Sequence, residues 1–164
     1  MPEPSEQAIV IRAAVAADVP ELGRLGAMLV AAHHAFDPKR FLASSDGTAA
    51  GYGGFLRSQL EEADAVVVVA EHNGTVVGYA YASVEGYDFL ALRGPAGVLH
   101  DILVDPAHRG HGVGRLLLDA TLLRLTEKGV PRVVLLTAER NEGAQRLFAS
   151  IGFRRTMVEM TREL

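Results

Sequence analysis

The chain has 164 residues, 49% of them hydrophobic and 22% charged, and carries a formal charge of −4 at neutral pH. That length suits one domain burying roughly two thirds of the surface its unfolded chain exposes, and the acidic balance argues against a general nucleic-acid binder. With no cysteine, a disulfide scaffold, a thiolate zinc site and a cysteine nucleophile are excluded. Apolar runs such as AVVVVA fall far short of the ~20 residues a membrane span needs.

The polar, acidic opening MPEPSEQ does not read as a signal peptide. Residues 1–7 are expected to form a disordered tail, and a cysteine-free chain without a leader suits the cytoplasm. IVIRAA, residues 9–14, reads as a short strand. Asp18 is placed as a helix N-cap with Glu21 completing a capping box. Leu22, Leu25, Gly26, Leu29 and His33 share one face of the helix that follows. The Gly-, Ser- and Pro-rich stretch 36–54 is a loop able to carry short helices, and YGGFLRSQLEEA, residues 52–63, can be helical.

Residues 65–71 form a buried-type strand, His72-Asn73-Gly74 a hairpin turn, and residues 75–85 the partner strand. A second glycine-rich loop spans 86–97, and another strand follows at 97–104. A helix over 112–128 is stopped by Gly129 and Pro131. RVVLLTA, residues 132–138, is a strand. Asn141 caps a last helix whose inner face is Ala144, Leu147, Phe148 and Ile151, and which ends at Gly152. Residues 153–164 are read as a terminal strand. No repeat or compositional break divides the chain, so 1–164 is taken as a single domain. The fold class is α/β, with antiparallel hairpin strands first. A strand–helix–strand crossover then makes 99–104 and 133–137 parallel.

The segment VDPAHRGHGVGRLLLDA, residues 104–120, concentrates the chemistry. A helix's first turn leaves backbone N–H groups without intrahelical partners at the positive end of its dipole, where anions bind. Gly110, Gly112 and Gly114 allow close backbone approach, and Arg109 and Arg115 can add charge-assisted contacts. The segment therefore suits a pyrophosphate. It is not a Walker loop, because Gly110 and Gly114 enclose three residues rather than four, and its G-x-G-x-G spacing is not the dinucleotide fingerprint.

What fits is Arg-x-x-Gly-x-Gly, present as Arg109-Gly110-His111-Gly112-Val113-Gly114 and preceded by LHDILVDPAH. A second motif, NEGAQRLFASIGF, runs from Asn141 to Phe153. On these two motifs the chain resembles the GNAT superfamily of N-acetyltransferases, most specifically over 99–153. The resemblance implies a mixed, mostly antiparallel sheet with a splayed parallel strand pair and helices on both faces. It implies acetyl-coenzyme A as cosubstrate, with no metal, and a primary amine of a small molecule or protein as acceptor; relatives are often homodimers. The pyrophosphate would lie on the backbone of Arg109, Gly110, His111, Gly112, Val113, Gly114 and Arg115. The main chain of Ile102, Leu103 and Val104 would pair with the pantetheine arm, and Asn141 would contact the thiol end.

The implied reaction is attack of an amine on a thioester. An alkylamine with a pKa of about 10 must first lose a proton, so a base or a water path is needed, and the developing oxyanion needs a donor such as a strand amide. Many relatives place an acid on a tyrosine of the second motif, where this chain has Phe148. The ribosomal-protein subgroup places a glutamate base where this chain has Leu136. The local base candidates are His100 and Asp101, which strand alternation puts on opposite faces, so that at most one meets the site. Glu139 and Tyr81 stand behind them.

Plainer readings compete at several positions. His100 and Asp101 can be a satisfied strand pair, and His108 and His111 solvated turn residues. His33 and His34 near Asp37 lack a third ligand pattern for a metal, and line a pocket or close a helix. Tyr52, Tyr87 and Phe89 lie in glycine-rich loops of the kind that shape ligand sites. Two rival functions remain open on sequence. One is a non-catalytic acetyl-coenzyme A-binding regulatory module, favoured by Phe148 and Leu136; the other is an unrelated nucleotide-binding protein.

Overall fold

The computed structural model describes residues 8–164; the expected tail, residues 1–7, lies outside the described residues. The most apolar run lies in β2 (Ala65–His72). Its period of two sends Val66, Val68 and Ala70 to one face and Val67 and Val69 to the other. Both faces are covered, so the run has no polar alternation. β1 (Val10–Ala13) pairs antiparallel with one edge of β2, and β3 (Thr75–Glu85) with the other. Asn73 and Gly74, with φ of 52° and 77°, form the two-residue turn that the Asn-Gly pair predicts; His72 belongs to the strand. β4 (Ala96–Val104) runs antiparallel to β3, and β5 (Val133–Leu135) parallel to β4, giving a five-stranded sheet in the order β1-β2-β3-β4-β5.

Helices cover both faces, as expected. α3 (Val113–Glu127) and α4 (Glu142–Ser150) bury Val113, Leu117, Leu118, Leu125 and Phe148 against Val66, Val68, Ala80 and Leu99. On the opposite face, α1 (Val19–Phe36) and α2 (Thr48–Gln59) bury Leu22, Leu25 and Leu56 against Val67, Val69, Tyr79 and Leu103. α1 and α2 meet through glycine: a Cβ on Gly23 would stand 2.3 Å from the Ala49 carbonyl oxygen.

Four expectations are corrected. The helix expected over 52–63 lies earlier, as α2 at Thr48–Gln59, so Tyr52 sits inside it and not in the glycine-rich loop to which the sequence also assigns it; packing against α1 outweighs the weak helix propensity of its glycines. Asp18 does precede α1, but its carboxylate makes no cap bond into that helix. It accepts from the Val15 N–H at 2.8 Å and from both terminal nitrogens of Arg12, while Glu21 pairs with Arg24. The 132–138 strand is ladder-paired only at Val133–Leu135. Residues 154–164 form no strand, and all are exposed. Met157, Val158 and Met160 fall on both faces of an extended chain, so no single apolar face drives the segment onto a sheet edge.

The short β5 has a consequence for β4. Parallel pairing covers Gly97–Leu99 and then stops. From His100 to Val104, β4 keeps β3 on one side and, among the described residues, has no strand on the other. Beyond Leu99 the parallel pair forms no ladder among the described residues, which leaves that edge of β4 without a strand partner.

Candidate active site

The open edge of β4 leads directly into the glycine turn. Asp105 anchors the turn's start: its Oδ1 accepts from Ala107 N–H at 3.1 Å and its Oδ2 from Arg24 Nη1 of α1 at 2.9 Å. These bonds, the backbone one first and Arg24 next, hold its carboxyl below the usual range. Gly110 and Gly112 have φ of +80° and +78°, which glycine alone adopts without strain. A Cβ at either would meet no atom of the described residues within 4 Å, so the requirement there is conformational. Gly112 caps α3 without any side-chain bond, and the helix's first-turn N–H groups face the exposed stretch Arg109–Gly112. Val113 is buried. A Cβ on Gly114 would lie 3.5 Å from Leu147 and 3.8 Å from Val104, so α3 starts close to both β4 and α4. Arg109 Nε donates to the Val104 carbonyl at 2.9 Å, and Arg115 pairs with Asp119 along α3.

On β4 the ladder with β3 slips by one residue: Tyr81 faces Asp101 and Ala82 faces Leu99, so His100 is the extra residue of a bulge. The slip overturns the expected alternation. Asp101 bonds Tyr52 and Tyr79, and His100 stacks on Tyr81, all on the face covered by α1 and α2. Both base candidates thus emerge on one face, at the point where β4 loses β5.

Asp101 is 9% exposed. Tyr52 Oη donates to its Oδ2 at 2.5 Å and Tyr79 Oη to the same oxygen at 3.0 Å. No described residue hydrogen-bonds Oδ1. Burial drives the carboxyl above its usual range, while the two hydroxyls pull it back down without cancelling the effect. Burial likewise pushes the Tyr52 and Tyr79 phenols well above their ordinary range. Tyr81 Oη donates to Gln59 Oε1 at 2.9 Å. His100 is exposed; its Nε2 lies 2.8 Å from Ser83 Oγ and 3.4 Å from Glu85 Oε1. The arrangement is a desolvated carboxylate with one oxygen tethered and the other free, which suits taking a proton from an incoming cationic group.

The remaining sequence candidates fall in several places. Ile102 and Val104 are half-buried and Leu103 is buried along the open edge. Asn141 caps α4, its Oδ1 accepting from Ala144 N–H at 3.2 Å. Phe148 is core, edge-on to Phe153, while Leu136, Glu139 and His111 are exposed. The buried Nδ1 of His108 has no hydrogen-bond partner among the described residues, and its ring meets His72. His33 and His34 bond the carbonyls of Leu29 and Phe41, and among the described residues no group of three or more His, Cys, Asp or Glu side chains could hold a metal. Sequence reasoning missed Tyr79 and Ser83. Period two places both with Tyr81 on one face of β3, but meeting Asp101 and His100 depends on the slipped register.

Residues 55–153 match the model of the acetyltransferase (GNAT) family, and the chain belongs to that family. It is 40% identical over 96 residues to the mycothiol acetyltransferase of Thermobispora bispora, a match covering 56% of this chain and 31% of that protein. The matched segment thus spans under a third of the length of that relative. A tetramutant of the BH1408 protein from Bacillus halodurans shares the fold with a TM-score of 0.82 at 23% identity, over 94% of this chain and 99% of the other. A "predicted acetyltransferase with acetyl-CoA" from Clostridium acetobutylicum does so with a TM-score of 0.73 at 16% identity, over 94% and 96%.

Proposed function

We propose that this chain transfers the acetyl group of acetyl-coenzyme A to a primary amine of a small molecule, with Asp101 as the base. The observation that carries the reading is one juxtaposition. The bulge on β4 presents a buried carboxylate, its Oδ1 bonded by no described residue, at the head of a strand edge that has no ladder partner among the described residues, and that edge runs into a helix N-terminus built on two left-handed glycines.

In this reading the N–H groups of Arg109 to Arg115 bind the diphosphate. The main chain of Ile102, Leu103 and Val104 pairs with the pantetheine arm, and Asn141 contacts the cofactor near its sulfur. Asp101 Oδ1 accepts a proton from the ammonium group. The freed nitrogen lone pair forms the C–N bond to the thioester carbon, and an edge N–H of β4 stabilises the charge gathering on the carbonyl oxygen. The nitrogen's second acidic proton passes to water, and collapse of the adduct breaks the C–S bond. With phenylalanine at position 148, the thiolate leaves without a tyrosine acid there, and the proton held by Asp101 returns to it or to solvent. The likeness to a mycothiol acetyltransferase supports a small-molecule acceptor over a protein amine.

The test is thiol release across an amine panel, with acetyl-coenzyme A binding followed by calorimetry. Asp101→Asn is expected to lower kcat by about 10²-fold or more and to keep acetyl-coenzyme A affinity. Tight binding by the unaltered chain with no amine acetylated would replace this reading with that of a binding module.

A further inference from the structure

We propose that Tyr52 is a positioning residue for Asp101, and that the bare Cα of Gly26 on α1 is what lets the tyrosine reach it. The proposal rests on the reading of Asp101 as the base.

Gly26 lies inside α1, in a helical conformation any residue adopts, where glycine is a poor helix former. The reason for a glycine is the neighbouring ring: a Cβ at position 26 would stand 2.1 Å from Tyr52 Cδ1, 2.5 Å from Cγ and 2.7 Å from Cε1. These are three atoms of one rigid ring, so no rotation of a flexible tip relieves the clash. One turn earlier, Gly23 and Gly53 close the helix crossing itself; a Cβ on Gly53 would lie 3.1 Å from the Val19 carbonyl oxygen and 3.4 Å from Gly23 Cα. The crossing brings α2 near the sheet, and the bare Cα of Gly26 lets the Tyr52 ring pass α1 to Asp101 Oδ2.

The groups facing Asp101 are Tyr52 from α2, Tyr79 and Tyr81 from β3, His100 from its own strand and His33 from α1. Of these, Tyr52 and Tyr79 alone hydrogen-bond it. Tyr79 is fixed by the β3–β4 ladder, whereas Tyr52 arrives through the packing of α1 on α2. Two donors on one oxygen fix the carboxylate's rotation and leave Oδ1 for the amine. They also favour the ionised form against the burial that opposes it.

The test is the pH dependence of kcat/KM for Tyr52→Phe and Gly26→Ala, read by thiol release. Tyr52→Phe keeps the ring and removes the donor. The acid limb is expected to move to higher pH by about one pH unit, with kcat on the plateau within several-fold of the unaltered chain. Gly26→Ala is expected to shift the limb in the same direction by displacing the ring, and Tyr52→Phe decides the matter by itself should the alanine variant not fold. A role confined to packing would lower the melting temperature or scale the rate at every pH without moving the limb. An unmoved limb in Tyr52→Phe overturns the proposal, and an unmoved limb in a folded Gly26→Ala overturns the part assigned to Gly26. The two readings fail separately: full activity of Asp101→Asn removes the base, whereas an inactive Asp101→Asn beside an unshifted Tyr52→Phe removes the role of Tyr52 alone.

Discussion

The His100 imidazole stacks on the Tyr81 ring, with 4.9 Å between centroids and 24° between planes, although the ladder partner of Tyr81 is Asp101. The stack follows from the bulge, which carries the extra residue's side chain over the adjacent pair. It also separates two residues that adjacency makes look equivalent. Asp101 is turned inward to two hydroxyls, whereas His100 lies on the rim beside Ser83 and Glu85.

That difference sets the first expectation. His100→Gln retains kcat within about tenfold of the unaltered chain, while Asp101→Asn loses 10²-fold or more. Thiol-release kinetics on the two variants in parallel checks it. A histidine variant as impaired as the asparagine variant would transfer the base role to His100.

The glycine turn gives the second. Gly112 holds φ at +78° in open space, so Gly112→Ala is expected to destabilise by about 1–2 kcal/mol through backbone strain alone, seen as a lower melting temperature. Gly112→Asp adds negative charge where the diphosphate would sit and is expected to abolish acetyl-coenzyme A binding in calorimetry. Micromolar affinity in the aspartate variant contradicts a diphosphate site at this turn.

The third concerns stability and pH. Asp18 is 7% exposed and held by Arg12, whose guanidinium also reaches Glu71. Asp18→Asn is expected to destabilise by about 2 kcal/mol, the scale of a hydrogen bond to a charged group. Arg12 first, then the Val15 N–H, hold this carboxyl below its ordinary 3.8. Its folded value is therefore lower than its unfolded one, and the stabilisation is complete above the ordinary range and lost as pH falls through the folded value. Denaturant midpoints of the two proteins should differ at pH 7 and converge on acidification through that range; a gap constant with pH would show that the carboxylate's charge is not what stabilises.

Much of the fold was legible because it depends on neighbours in the chain. The AVVVVA run, the Asn73-Gly74 turn and the span of α3 follow from side-chain period and φ preference, and the structure reproduces them. The terminal strand and the full 132–138 strand were not legible. A ladder needs a partner edge, and strand-like residues do not say whether one is available. Asp18 was misjudged because Arg12, on a different element, competes for the carboxylate that was assigned to a cap.

The sequence by itself determined the family, the strand–turn–helix with its glycines, and the two adjacent base candidates, because each is written in residues a few positions apart. Only the tertiary structure decided that His100 and Asp101 share a face, since a one-residue slip in a ladder is invisible along the chain and inverts every side chain beyond it. It alone brought Tyr52 past Gly26 to Asp101, because hydrogen bonds between residues 49 apart in sequence arise from packing that no local pattern encodes.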